Sequence, residues 1–305
     1  MEGVLTGFVT IGALIAVGAL LAHLGVVDLA AGRLLATTAF YVASPALLML
    51  TIAESDPAVL FKLPLAATAA AALAAMVLYA APARLLWRHD AGSVVIGGFT
   101  AGYVNSANLG IPLATYVLGD AALVAPVLLL QLLVFQPLGL AILDAQAAGL
   151  RPSIGRSLGS ALTNPLTVGT LLGLILAVTD WRLPELVESP IRVLSGLAIP
   201  AILMAYGVAL RLGPGVASSG RRELVWAATI KLVIHPGLAY AAGRLLGLEG
   251  HLLFAVVVIA ALPTAQNIFI LATHYDRATV LARDTILVTT IGSVPAITLA
   301  AWLLG

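Results

Sequence analysis

The chain has 305 residues, of which 61% are hydrophobic and only 10% are charged, and its mean hydropathy is +1.08. A soluble domain with this balance would lack the polar residues to cover its surface, so the composition predicts a chain embedded in a lipid bilayer. The net charge of +1 gives no indication of nucleic-acid binding. The absence of cysteine excludes disulfides, thiolate metal sites and thiol catalysis.

Apolar runs alternate with short linkers along the whole chain. A helix that crosses a bilayer needs about 20 mostly apolar residues. The N-terminal stretch lacks the basic region of a cleaved signal peptide, so the first run is expected to be retained. Residues 1–305 are therefore predicted to form one all-α integral membrane domain with ten spans. The predicted spans are 4–22, 33–52, 61–81, 92–118, 121–143, 160–178, 190–210, 223–242, 251–273 and 282–303.

The Lys and Arg residues predict how these spans are oriented. Loops one, three, five, seven and nine hold ten arginines, whereas the even-numbered loops hold four basic residues. Positively charged loops stay in the cytoplasm. The sequence thus predicts a multi-pass protein of the inner (plasma) membrane with both termini extracytoplasmic.

Three short matches indicate an internal repeat. They pair S-P-A-L-L-M-L with I-P-A-I-L-M-A, P-L-A-T-Y with I-L-A-T-H, and A-R-L-L with G-R-L-L, at shifts of 155, 158 and 160 residues. The halves are 1–148 and 151–305, with five spans each. Because five is odd, the second half must be inverted, and inverted repeats are typical of secondary transporters.

Spans four and nine each contain a stretch that is expected to interrupt a helix. The first is N-S-A-N-L-G-I-P-L-A (105–114), and the second is L-P-T-A-Q-N-I-F-I (262–270). A half-helix beginning near Ile111–Pro112 would present N–H groups and a positive dipole end to an anion. Side-chain amides could also bridge the backbone to a polar ligand. These amides belong to Asn105, Asn108, Gln266 and Asn267. Proline kinks patched by neighbouring amides are the alternative interpretation.

The motif N-x-x-N-x-G-x-P-L-A, followed by P-x-x-x-N about 150 residues later, resembles the auxin efflux carrier family and, more broadly, the bile acid–sodium symporter-like superfamily. The resemblance covers essentially the whole chain. It implies two crossing broken helices, a scaffold of spans one, two, six and seven, and a transport domain of the other six spans. The residues that match the two crossovers are Asn105, Asn108, Pro112, Pro263 and Asn267.

Two further expectations follow from that resemblance. The short link between the halves, near Asp144 to Gly159, differs from the long cytoplasmic loop of many plant members and favours a bacterial organic-anion permease. Tyr41, Ser44 and Tyr206 are expected on the scaffold wall that faces the substrate, with plain helix packing as the alternative.

Lys231 lies deep in the apolar span W-A-A-T-I-K-L-V-I-H-P. A charge there costs about 2.5–3.5 kcal/mol on insertion scales and usually has a function. Lys231 could bind an anionic substrate, substitute for a bound cation or titrate during transport; a lysine that snorkels to the interface is the alternative. His235, one turn later, is expected to cap backbone freed by Pro236.

Other polar residues carry weaker indications. Asp284 is expected to be an interfacial charge, with a proton or cation site in the transport domain as the alternative. Gln131 and Gln136 could face the crossover, but hydrogen bonding between helices is favoured. Asn164 and Pro165 predict the start of a helix.

The predicted function is a secondary carrier, not an enzyme, that moves a small organic anion such as a dicarboxylate or an auxin-like acid by elevator-type alternating access. The sequence has no Walker motif and no metal-ligand cluster, so no cofactor is expected. A proton is favoured as the coupling ion over sodium. A non-translocating membrane sensor and, last, a Ser–Lys hydrolase are the alternatives. The bilayer is the expected environment, and a homodimer through the scaffold helices is a further possibility.

Overall fold

The structure, a computed structural model, describes residues 2–56, 62–148, 159, 162–212 and 221–305. Within these ranges the chain is helical and has no β-strand, which confirms the predicted all-α class. The helices are α1 (Glu2–His23), α2 (Leu29–Ala53), α3 (Leu63–Leu85), α4 (Ala91–Gly102), α5 (106–118), α6 (Ala121–Gln146), α7 (Pro165–Thr179), α8 (Glu185–Leu212), α9 (Arg221–Leu245), α10 (Gly250–Ala260), α11 (Asn267–His274) and α12 (Thr279–Leu304).

The predicted spans coincide with these helices. In the part of the chain that the structure describes, six helices are long and apolar enough to cross a membrane, namely α2, α3, α6, α8, α9 and α12, and four shorter apolar segments lie in α1, α4, α7 and α10. Each predicted span falls on a helix, and spans four and nine are each divided into two. A multi-pass membrane protein is therefore supported, whereas the count of ten membrane spans and the inverted 5+5 repeat remain predictions. Arg151 and Arg156, used for the orientation, lie outside the described residues, as does the junction at 149–151.

Side-chain caps set several helix starts. The side chain of Asp28 accepts a hydrogen bond from the Ala31 N–H, and those of Asp90 and Asp120 cap α4 and α6 in the same way. Asn164 accepts from the Leu166 N–H, which confirms the predicted start of α7. Such caps satisfy N–H groups that the first helical turn leaves without partners.

Four of the prolines that lie inside helices stand two residues after the end of a π turn. Proline lacks an N–H, and its ring clashes with the carbonyl four residues earlier. In each case that earlier residue is the middle of a five-residue π turn, whose wider path gives the carbonyl room. The π turns are 39–43, 106–110, 131–135 and 230–234, and the prolines are Pro45, Pro112, Pro137 and Pro236.

The chain forms two compact units. Unit 1 comprises Met1–Leu60, Ala107–Leu129 and Leu162–Gly215, and unit 2 comprises Phe61–Ser106, Leu130–Ala161 and Val216–Gly305. Unit 1 contains the four spans expected in the scaffold, together with 107–129 from spans four and five. Unit 2 contains the rest of spans four and five and all of spans three, eight, nine and ten.

Close helix packing inside each unit depends on small residues. In unit 1, a Cβ atom added at Gly173 of α7 would lie 2.6 Å from the Met49 carbonyl oxygen of α2. In unit 2, a Cβ atom at Gly102 of α4 would lie 2.6 Å from the Ala72 carbonyl oxygen of α3. Small residues at helix contacts are the usual basis of packing in membranes, because they let backbones approach each other.

Candidate functional site

Two helix interruptions in unit 2 are hydrogen-bonded to each other. The first interruption (residues 103–105) separates α4 from α5, and the second (residues 261–266) separates α10 from α11. Val104 and Thr264 form an isolated antiparallel bridge. The Asn105 N–H donates to the Pro263 carbonyl at 2.8 Å, and the Ala265 N–H donates to the Tyr103 carbonyl at 3.2 Å. The two interruptions thus satisfy part of each other's backbone, which the apolar surroundings cannot do.

Gln131 of α6 stabilises the first interruption. Its Nε2 donates to the Val104 carbonyl at 3.1 Å, and its Oε1 accepts from the Ser106 hydroxyl at 2.8 Å. Gln131, Val104 and Ser106 are all buried. The favoured interpretation of Gln131 as a hydrogen-bonding residue between helices agrees with these contacts.

Threonine hydroxyls stabilise the second interruption. The Thr264 N–H donates to Thr289 Oγ1 of α12 at 3.1 Å, and the Thr264 hydroxyl donates to the Thr100 carbonyl of α4 at 2.6 Å. The Thr289 hydroxyl itself donates to the Thr285 carbonyl at 2.7 Å. These side chains anchor the second interruption to two different helices of unit 2.

Lys231 adds a fully buried amino group at the same interruption. Its Nζ donates to the carbonyl of Ala260, the last residue of α10, at 2.8 Å and lies 2.9 Å from His235 Nδ1. Lys231 is fully buried, and His235 is 1% exposed. The ion pairs among the described residues do not include Lys231. An ammonium group at the carboxyl end of a helix compensates the negative end of the helix dipole.

For this pair the structure contradicts the snorkelling alternative for Lys231 and the expected role of His235. Lys231 does not snorkel, because its ammonium group is buried and bonded within unit 2. His235 was expected to cap backbone freed by Pro236, but its Nδ1 lies against Lys231 Nζ, and its Nε2 has no hydrogen-bond partner in the part of the chain that is described. The lysine and the histidine meet because they are four residues apart on one helix face.

A third set of polar contacts joins the first interruption to α6 and α11. The Tyr103 hydroxyl donates to Gln136 Oε1 at 3.1 Å, and Asn267 Nδ2 approaches the same oxygen at 3.5 Å. Tyr103 is buried, and Gln136 and Asn267 are half-buried. The contact from Asn267 is at the outer limit of a hydrogen bond. Asn267 is also the first residue of α11, so its backbone lies at the positive end of that helix.

The predicted start of the half-helix after the first interruption is wrong. Helical structure resumes at Ser106, not near Ile111–Pro112, so Asn108 and Pro112 lie inside α5. The π turn 106–110 explains the difference, since it accommodates the carbonyl of Asn108 ahead of Pro112. Asn105 remains in the first interruption. Pro263 and Gln266 lie in the second interruption, as predicted.

The remaining predicted site residues belong to unit 1. Asn108 is half-buried and Pro112 is buried. Tyr41 is 61% exposed, whereas Ser44 and Tyr206 are 2% and 9% exposed. Their assignment to a substrate-facing wall remains a prediction.

Sequence reasoning missed several residues that hold the interruptions. Thr100, Tyr103, Ser106, Thr264 and Thr289 each use a small polar group that is common in membrane helices for ordinary packing. Tyr103, Ser106 and Thr264 could have been predicted as supporting residues, because each lies within or directly beside a predicted interruption. No sequence signal distinguishes Thr289 from the other threonines of α12, because its role depends on tertiary contact.

Comparison with known proteins gives a consistent result. A family model described as "Membrane transport protein" matches residues 150–301. A protein of Rhizobium meliloti (strain 1021) named "Putative malonate transporter" is 30% identical over 220 residues, which cover 70% of this chain and 68% of that protein. "Auxin efflux carrier component 4" of Arabidopsis thaliana is 29% identical over 119 residues, which cover 38% of this chain and 19% of that protein. "Auxin efflux carrier component 3a" of Oryza sativa subsp. japonica is similar over the same extent.

The fold and these similarities define a membrane transport protein. The chain belongs to the auxin efflux carrier family, which confirms the resemblance inferred from the two proline- and asparagine-containing motifs. The similarity is to transporters and not to enzymes, as expected. The aligned region spans about a fifth of the length of the plant relatives and about two thirds of the length of the Rhizobium relative.

Proposed function

We propose that this chain is a secondary active carrier that moves a small organic anion across the inner membrane by elevator-type alternating access. The observation that carries the proposal is the hydrogen-bonded pairing of two interrupted helices inside unit 2. Interrupted helices in the two halves of a transporter typically form its substrate site. In this proposal unit 2 is the moving body. Both termini are extracytoplasmic, and the scaffold helices are available for a homodimer.

The polar groups near the interruptions suit a carboxylate. The Asn267 amide approaches Gln136 at 3.5 Å and also interacts with the Tyr103 hydroxyl, and an exchange of these weak contacts would turn its N–H groups toward a ligand. Its position at the start of α11 adds the positive end of the helix dipole. Lys231 contributes a buried positive charge to the same unit, and an anion is attracted to it through the low dielectric of the interior.

A short dicarboxylate is the favoured substrate. The Rhizobium relative, whose name refers to malonate, is similar over 70% of this chain, whereas the plant auxin carriers are similar over 38%. Indole acids of the auxin type are therefore the second class of substrate to test.

The position of Lys231 favours coupling to protons over coupling to sodium. Its ammonium group donates to the carbonyl at the end of α10, where a bound metal cation would otherwise coordinate the unwound backbone. Replacing Na⁺ by K⁺ in the assay buffer is therefore expected to leave uptake unchanged. A strict requirement for Na⁺ would contradict this part of the proposal.

Proteoliposomes that contain the purified chain test the proposal. Uptake of radiolabelled malonate, succinate and indole-3-acetate is measured with and without an imposed pH gradient, and empty liposomes are the control. We expect saturable malonate uptake that responds to the pH gradient. Tight malonate binding in detergent with no uptake under either gradient would contradict the carrier and support the sensor alternative.

A further inference from the structure

A cavity of about 460 Å³ lies in unit 2 and is built from residues outside both interruptions. It lies among α3, α4, α9 and α12, and its lining includes Tyr79, His89, Glu223, Asp276 and Asp284. Cavities of about 300–1,000 Å³ are the usual size of small-molecule sites. None of the polar groups in this lining takes part in the proposed anion transport.

The fixed charges that line this cavity are negative. Glu223, Asp276 and Asp284 contribute three carboxylates, and the lining includes no Lys or Arg. Glu223 Oε1 lies 2.9 Å from His89 Nε2. Asp284 is only 1% exposed and accepts from the Nε of neighbouring Arg283 at 2.8 Å. Arg84 and Arg277 donate to the backbone carbonyls of His89 and Asp276 and are not part of the lining. The charged side chains that face the cavity itself are therefore carboxylates, which attract cations.

Tyr79 gives an independent indication that the cavity binds a ligand. Its side chain is fully buried and lines the cavity, yet its hydroxyl has no hydrogen-bond partner among the described residues. Gly97 makes room for this group, because a Cβ atom there would lie 2.7 Å from the Tyr79 hydroxyl oxygen. Trp87 packs edge-on against the ring with centroids 5.8 Å apart. A buried hydroxyl in a tightly packed site normally has a partner.

We infer that this cavity binds a small organic cation with a primary ammonium group. The ammonium group would donate to the Glu223 and Asp284 carboxylates and to the Tyr79 oxygen, all of which accept hydrogen bonds. Leu224, Val280 and Leu281 supply apolar walls for a short hydrocarbon body. Within the described ranges no three acidic or histidine side chains are grouped as a metal site, so an ammonium ligand fits the lining better than a metal ion.

The cavity is predicted to open toward the cytoplasm. His89, Glu223 and Asp276 belong to loops three, seven and nine or to their edges, and these loops are predicted to be cytoplasmic. The ligand is therefore a cytosolic amine, and it is distinct in charge and location from the proposed anionic substrate.

Thermal unfolding and calorimetric titration of the purified full chain in detergent test this inference. The probe is n-butylammonium chloride, compared at equal ionic strength with NaCl and KCl and, as an uncharged analogue, with butanol. We expect a saturable rise in melting temperature with butylammonium alone. Glu223→Gln and Asp284→Asn are expected to weaken its binding at least tenfold. Glu54→Gln, which changes an exposed carboxylate in unit 1, is the control and should leave binding unchanged.

Tyr79→Phe separates a ligand-binding hydroxyl from a structural one. It keeps the ring beside Gly97 and removes only the unpartnered oxygen, so the ligand-free protein should melt no lower than wild type while butylammonium binds several-fold more weakly. A lower melting temperature without ligand would assign the hydroxyl a structural partner and overturn the inference. An equal response to NaCl, KCl or butanol, or unchanged binding in Glu223→Gln, would also overturn it. Malonate uptake is not the readout, so this result is independent of the carrier proposal.

Discussion

The two interruptions lie in predicted spans four and nine, and different chemistry stabilises them. The first interruption is stabilised by a neutral amide, Gln131, which bonds both the backbone and a hydroxyl. The second is stabilised by threonine hydroxyls and by the buried ammonium group of Lys231. Two interruptions that are hydrogen-bonded to each other are therefore stabilised by different groups. A buried charge is costly and is retained where it has a function, so the second interruption is the one expected to be more sensitive to substitution.

The largest effect is expected for Lys231→Met. This change keeps an unbranched side chain but leaves the Ala260 carbonyl and His235 Nδ1 without their donor, and it removes the buried positive charge. We expect malonate uptake in proteoliposomes to be lost. The stability loss should be modest, because the unsatisfied carbonyl costs about 1–3 kcal/mol while the cost of burying an ion disappears.

Lys62→Met is the matched control for that variant, since Lys62 is the other lysine of the chain and is exposed. It should transport at the wild-type rate. If Lys231→Met also transports at that rate, the difference between the two interruptions has no functional meaning.

A smaller effect, on stability, is expected for Gln131→Leu at the first interruption. The variant leaves the buried Ser106 hydroxyl without its acceptor and removes a donor from the Val104 carbonyl. The free energy of unfolding should fall by about 1–3 kcal/mol. In a double-mutant cycle with Ser106→Ala, followed by denaturant unfolding in detergent, the two changes should be clearly non-additive. Strict additivity would mean that the Gln131–Ser106 bond does not stabilise the interruption.

The sequence predicted the helical class, the approximate spans and the existence of both interruptions, because apolar length and proline chemistry are local properties. The predictions failed for residues whose conformation or hydrogen bonds depend on tertiary contacts. Pro112 was expected to begin a half-helix, yet a π turn lets α5 begin at Ser106. His235 was expected to cap the backbone, yet its Nδ1 faces Lys231. The contacts of Thr289 depend on how α12 packs in unit 2, which no local pattern encodes.

Thr289→Val should have a smaller effect than Gln131→Leu, because it deprives a single buried group of its partner. The Thr264 N–H would lose its acceptor, at a cost of about 1–3 kcal/mol at most. Thr298→Val is the control on the same helix, since its exposed hydroxyl bonds only within α12, to the Val294 carbonyl. Thermal unfolding should separate the two valine variants. Equal melting temperatures would remove Thr289 from the support of the second interruption.

The smallest effect concerns the loop after α11. Burial, and then the hydrogen bond to Asp144, raise the pKa of Tyr275 to about 12. Because this folded-state pKa lies above the unfolded value of about 10, the contribution to stability is present below pH 10 and is lost between pH 10 and 12. The melting temperatures of wild type and Tyr275→Phe should therefore converge over that range. A constant difference from pH 9 to 12 would contradict the role of the phenol proton.

The central claim is that the paired interruptions bind a transported anion, and malonate uptake by the Asn267→Ala variant tests it most directly. Asn267→Ala, and Asn108→Ala with it, should abolish uptake while each variant elutes and melts like wild type in detergent. Gln146→Ala, which removes an exposed amide of unit 2 that accepts from the Gly92 N–H, is the control and should retain uptake. Wild-type uptake by both asparagine variants would contradict the account.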